Sequence, residues 1–163
     1  MEKVQFLPVR SILGAKKVFT VDLNPYLKEE LVREDLDYIT KNKSEIESLF
    51  ANRIFNNRLD ALLEFVKPPY QIKNLLEFLN IEYFAPSDGS RLNLPDSSID
   101  FHTSYTVLEH IPPEMIKEIL KEGKRILKQD GLFIHCIDYT DHFSHSDKSI
   151  SSLNFLALWE SWL

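Results

Sequence analysis

The sequence predicts an α/β fold, a doubly wound and mainly parallel sheet packed with helices. Three observations predict it. Short runs rich in β-branched and aromatic residues alternate with longer segments of helical periodicity. Each run is closed by a turn, a proline or a helix start. The residues with the most useful chemistry sit just past those runs, where open parallel sheets hold their ligands.

The first run is Lys17-Val18-Phe19-Thr20-Val21-Asp22-Leu23, preceded by Gly14-Ala15 and followed by Asn24-Pro25. That reads as a helix end over Leu7 to Leu13, then a strand, then a turn. From Tyr26 to Lys67 the apolar residues recur at helical spacing, among them Leu36, Ile39, Ile46, Leu59, Leu62 and Val66, until Pro68-Pro69 stops the pattern. A short helix follows, with Ile72, Leu75, Leu76 and Leu79 on one face. Ile81-Glu82-Tyr83-Phe84-Ala85 is a second strand, closed by Pro86.

Ser98 to Tyr105 is a third strand. Pro112 and Pro113 open the next helix, where a missing N–H costs little. Its expected buried stripe is Met115, Ile116, Ile119, Leu120, Ile126 and Leu127. Asp130-Gly131 then turns the chain into a fourth strand, Leu132 to Asp138. The 163 residues read as a single domain, 1–163, with a helical insert at about 26–80.

Composition narrows the function. The hydrophobic fraction is 44%, the charged fraction 27% and the net charge -6, with no sustained basic run. A duplex-binding protein carries a basic stripe to displace counterions, so nucleic acid is disfavoured as the main partner. Cys136 is the single cysteine, which excludes an intramolecular disulfide and a thiolate zinc cage. No apolar stretch is long enough to span a bilayer, and Met1 to Arg10 does not read as a secretory signal. A soluble, cytoplasmic protein acting on a small molecule is the expectation; its oligomeric state is open.

Asp22 ends the first strand. Taken alone it reads as a solvated turn aspartate, although in doubly wound folds an acid there accepts hydrogen bonds from both ribose hydroxyls of a nucleotide. Asp88-Gly89 follows the second strand. The carboxylate can accept from an adenine amino group while Gly89 lets backbone come close; turn chemistry explains the pair equally well. Tyr105-Thr106-Val107-Leu108-Glu109-His110-Ile111-Pro112-Pro113 joins a strand end to a helix start. His110 can serve as a general base near neutral pH, but the preferred reading has Glu109 and His110 bonding backbone to set the helix start. Asp138, Asp141, His142, His145 and Asp147 follow the fourth strand. His142-x-x-His145 could bind a divalent metal. A place in the acceptor pocket is preferred, and no metal centre is expected.

Together, Val21-Asp22, Asp88, Leu92-Asn93-Leu94-Pro95-Asp96-Ser97-Ser98-Ile99-Asp100, Val107-Leu108-Glu109-His110-Ile111-Pro112 and Arg125-Ile126-Leu127-Lys128 before Asp130-Gly131 resemble the class I S-adenosylmethionine-dependent methyltransferase family. The resemblance runs from about Gly14 to Asp138, apart from the long helical stretch. It implies a Rossmann-like fold and S-adenosyl-L-methionine as cofactor. It also implies that Asp22 binds the ribose, Leu23 packs on adenine, Asp88 with Gly89 reads the adenine edge, and Ser104 and Tyr105 lie beside the methionine part. His110 and His142 are the candidate catalytic bases.

The family places a strand and a glycine-rich loop ahead of Asp22. Here only Gly14, Gly89, Gly123 and Gly131 occur, and no two form a GxG. The expectation is therefore a fold incomplete at its N-terminus and C-terminus, poorly folded alone and binding the cofactor weakly. A makeshift central strand over Val4-Gln5-Phe6-Leu7 is the competing possibility. Two other readings stay open: a nicotinamide-dependent Rossmann enzyme, and a non-catalytic methyltransferase-like remnant.

Overall fold

The computed structural model describes residues 7–154. The chain is α/β and divides into two compact units, Met1–Gly89 and Ser90–Leu163. Each unit contains one pair of parallel strands. The makeshift strand Val4-Gln5-Phe6-Leu7 lies outside the described residues except for Leu7, which begins a helix. The stretch ending at Trp162-Leu163 also lies outside them.

In the first unit, α1 (Leu7–Ile12) leads into β1 (Val18–Val21). Gly14 sits at φ 106°, its N–H donating to Ser11 O (3.1 Å), while the Ala15 N–H donates to Arg10 O (3.1 Å). This is a Schellman ending, in which a left-handed residue lets the chain fold back onto the last helical carbonyls. Arg58 Nη1 completes the cap by donating to Ser11 O (2.9 Å) and Ala15 O (2.7 Å).

The helical pattern after Pro25 breaks into α2 (Glu29–Lys41), α3 (Lys43–Phe50) and α4 (Asn56–Phe65), with a 3-10 turn over Ala51–Arg53. Helix α2 buries Val32, Leu36 and Ile39, one stripe at helical spacing, and starts with Glu29 and Glu30 where the helix dipole favours acids. After α5 (Ile72–Phe78) comes β2 (Ile81–Phe84), parallel to β1 with Val18 opposite Ile81 and Val21 opposite Phe84. One apolar cluster joins all of these elements: Ile12, Val18, Leu36, Leu59, Leu62, Leu75 and Ile81 are among its buried members. Leu59 and Leu62 are wholly buried, each contributing about 1.5–3 kcal/mol of transfer free energy. The stretch read as an insert therefore supplies most of this unit's core.

In the second unit, β3 (Ile99–Tyr105) pairs in parallel with β4 (Leu127–Cys136), connected by α6 (Pro113–Ile126). Strand β4 starts earlier than the sequence suggests. Ile99 faces Leu127 and Phe101 faces Leu132, so the residues around Asp130-Gly131 bulge within the ladder. A Cβ on Gly131 would come within 3.0 Å of Lys128 O and 3.1 Å of Asp100 O, which explains the glycine there. The expected α6 stripe needs correcting as well. Met115 is exposed, Leu127 belongs to β4, and the buried α6 residues are Gly123 and Ile126.

Parallel strands are normally covered on both faces. Here Phe101, Tyr105, Leu132, Phe133 and Ile134 are all exposed, and the buried hydrophobics among the unit's described residues are Leu108, Ile126 and Leu127. A short α7 (Phe143–Ser146) ends the described part.

Candidate functional site

At the carboxyl ends of β1 and β2 the first unit gathers Asp22, Leu23, Asp88 and Gly89. The Asp22 N–H donates to Phe84 O (3.0 Å), and the Ser87 N–H donates to Asp22 O (2.9 Å), which holds the turn before Asp88 beside Asp22. The Tyr83 hydroxyl donates to Asp22 Oδ2 (2.8 Å) and accepts from the Leu27 N–H (3.1 Å). Burial raises the Tyr83 pKa, and the Asp22 carboxylate raises it further, so the hydroxyl keeps its proton to donate. A carboxylate offers about four acceptor positions, so Asp22 can bind Tyr83 and still accept from a diol. Leu23 beside it is 71% exposed, an apolar side chain with open surface. This donor and acceptor set fits the adenosine part of S-adenosylmethionine.

The glycines tell where that fit stops. Gly14 caps α1, Gly131 sits in the β4 bulge, and Gly123 lies in α6, where a Cβ would meet Phe133 Cε1 at 2.7 Å. Their backbone positions already account for these three, leaving Gly89 as the one glycine beside the candidate residues.

In the second unit the segment Leu92 to Asp96 is clamped to α6. Glu122 accepts from the Leu92 N–H (2.7 Å) and from Arg125 Nη2 (2.6 Å). Arg125 donates onward to Leu92 O (3.0 Å), Leu94 O (2.9 Å) and Asp96 Oδ1 (2.5 Å). The guanidinium holds the Glu122 carboxyl down at about 2. Ser104 and Tyr105 end β3, Tyr105 exposed and Ser104 turned to His135. Thr106 follows at φ 47°, a left-handed value that a β-branched residue adopts at a cost of about 1–3 kcal/mol.

Next comes a 3-10 turn, Leu108–His110, anchored by buried Leu108. Both Glu109 carboxylate oxygens are shut off from water and have no hydrogen-bond partner among the described residues. The His110 ring lies 4.9 Å from the His142 ring. One ligand atom each from Glu109, His110 and His142 falls within a 4.8 Å span. Asp138 stands beside them, its Oδ1 accepting from the Thr140 N–H (2.8 Å) and hydroxyl (2.7 Å), its Oδ2 3.7 Å from His142 Nε2 and 4.0 Å from His145 Nε2. These hydrogen bonds lower the Asp138 pKa. The two candidate bases thus come together, along with Glu109, which sequence reading had treated only as a partner for backbone. His145 is turned to Thr140 Oγ1 (3.1 Å).

Among the described residues no helix is long and apolar enough to cross a membrane. No curated protein and no solved structure matches the chain. The family model described as a methyltransferase domain matches residues 57–135, a stretch that takes in β2, the clamped Leu92–Asp96 segment, the Glu109-His110 turn and all of α6. Over residues 57–135 the chain is thus similar to a methyltransferase domain, in line with the resemblance of its ordered motifs to the class I S-adenosylmethionine-dependent family.

Proposed function

We propose that the protein transfers a methyl group from S-adenosyl-L-methionine to a small-molecule acceptor. The observation that carries this reading is the meeting of Asp22, Leu23 and the Asp88-Gly89 turn at the carboxyl ends of a parallel strand pair, in a chain with a methyltransferase domain. When bound, the cofactor supplies an electrophilic sulfonium methyl group. Asp22, steadied by Tyr83, accepts from the ribose hydroxyls. Leu23 covers one adenine face, and Asp88 with Gly89 reads the adenine edge. In the second unit, Ser104 and Tyr105 are assigned to the methionine part on the family resemblance alone. His110 and His142 are the candidate bases that take the acceptor's proton. The acidic balance of the chain, net charge -6, favours a small acceptor over nucleic acid. We read residues 1–163 as one methyltransferase domain in a cytoplasmic protein, with 26–80 built into its core.

The test is calorimetry of the full chain with S-adenosylhomocysteine, the demethylated product. Weak but saturable binding is expected from a chain whose sequence holds no GxG, and Asp22→Ala weakens it further, by about 1.5–3 kcal/mol, the scale of hydrogen bonds to a charged group. An unchanged affinity in that variant removes Asp22 from the site. Absence of saturable binding by the wild-type chain overturns the cofactor assignment.

A further inference from the structure

We propose that Glu109, His110 and His142 form a binding site for a divalent transition-metal ion of the zinc class, contrary to the expectation from sequence. Two imidazoles and a carboxylate suit zinc, cobalt, nickel or iron, and are a poor set for calcium or magnesium, which prefer oxygen ligands throughout. The three ligand atoms lie within 4.8 Å of one another. A tetrahedral ion at about 2.0–2.1 Å from each ligand holds them roughly 3.3 Å apart. The contraction needed is small, and both histidines are exposed side chains able to make it.

The independent observation is the Glu109 carboxylate. Its two oxygens are out of contact with water and accept no hydrogen bond from any of the described residues. Buried polar atoms in folded proteins are nearly always paired, and an unpaired carboxylate is among the most costly exceptions. A cation between Glu109 and the two histidines removes that cost. The surroundings support the geometry: buried Leu108 anchors the turn that presents Glu109 and His110 side by side. Thr140 fixes one oxygen of Asp138, and the other faces His142, where it can orient the ring as an outer carboxylate. Three protein ligands leave a coordination position for water or for an acceptor oxygen. The proposal stands whether or not the chain binds S-adenosylmethionine; with the ion bound, His110 and His142 serve as ligands and no longer as bases.

The experiment is titration of the chelator-treated full chain with Co2+, read by visible absorption, with Zn2+ as competitor. Saturation near one equivalent and displacement by Zn2+ are expected. Glu109→Gln, His110→Ala and His142→Ala should each weaken Co2+ binding at least about tenfold, the lower end of what even outer-shell partners contribute. His145→Ala should leave it unchanged. Circular-dichroism melts of the metal-free variants control for folding. Glu109→Gln keeps the side-chain shape, so it decides the matter if a histidine variant unfolds: Zn2+ should raise the melting temperature of the wild type and not of Glu109→Gln. Failure to bind Co2+ saturably overturns the site. So does loss of binding in His145→Ala with retention in Glu109→Gln, which would move the ion to the His142-x-x-His145 pair.

Discussion

The Ser104 hydroxyl lies 2.7 Å from His135 Nδ1, directly across the β3–β4 ladder, and His135 Nε2 lies 3.4 Å from His102 Nδ1. The row of polar side chains sits under α6, whose Gly123 brings the helix backbone close to the His102 ring. Burial lowers the pKa of both imidazoles, and His135 lowers that of His102 further. Each ring therefore ionises at lower pH in the folded chain than in the unfolded one, where the value is about 6.5.

A pH dependence follows from that row. As pH falls through about 6.5, the unfolded state takes up protons before the folded state does. The stability due to neutral His102 and His135 is complete above that pH and is lost as pH drops through their lowered folded values. The melting temperature should therefore fall between pH 7.5 and pH 5, and His102→Phe should flatten the slope. Identical slopes in wild type and variant would rule out these imidazoles as the cause.

The Glu122–Arg125 clamp predicts a second, more acidic transition. The Glu122 carboxyl is held at about 2, well below its ordinary value of 4.5, first by the Arg125 hydrogen bond. A depressed carboxyl stabilises the fold above its unfolded value and loses that contribution as pH falls toward the folded one. Glu122→Gln should cost about 1.5–3 kcal/mol at pH 7, the scale of a charged hydrogen bond, and progressively less from pH 5 down to pH 2. Urea denaturation at a series of pH values reads both, and a pH-independent difference would show that the clamp adds no charge-dependent stability.

Gly14 should be intolerant of a side chain. Its φ of 106° is one that L residues rarely adopt, and a Cβ there would sit 2.6 Å from Phe55 Cε2. Gly14→Ala is expected to destabilise by at least about 1–2 kcal/mol, the cost of a left-handed conformation, with the Phe55 clash added. Equal denaturation midpoints for Gly14→Ala and wild type would refute the Schellman assignment.

The bare β3–β4 pair predicts self-association. Phe101 is 60% exposed and Ile134 52% exposed, on parallel strands of a type usually covered. Light scattering of the full chain should rise with concentration, and the double variant Phe101→Lys, Ile134→Lys should suppress it. Persistence of the same scattering in the double variant would place the sticky surface elsewhere.

Local signals carried the element order. The Gly14-Ala15 helix end, the β-prone run after it, the Pro112-Pro113 helix start and the alternation of strands with helices all depend on residues within a few positions of one another, so sequence by itself determined them, and the ordered motifs carried the likeness to a methyltransferase domain that the family model repeats over residues 57–135. Partnership across the chain was decided only by the tertiary structure. Tyr83 reaches Asp22 from 61 positions away, and Glu109 and His110 meet His142 because β4 returns parallel to β3 and carries the following loop to the end of the strand before them. The segment read as an insert became the core because Val32, Leu36, Leu59 and Leu62 bury against α1, β1 and α5. Apolar periodicity states that a helix has a face to bury. What that face is buried against depends on the shape and packing of the rest of the chain.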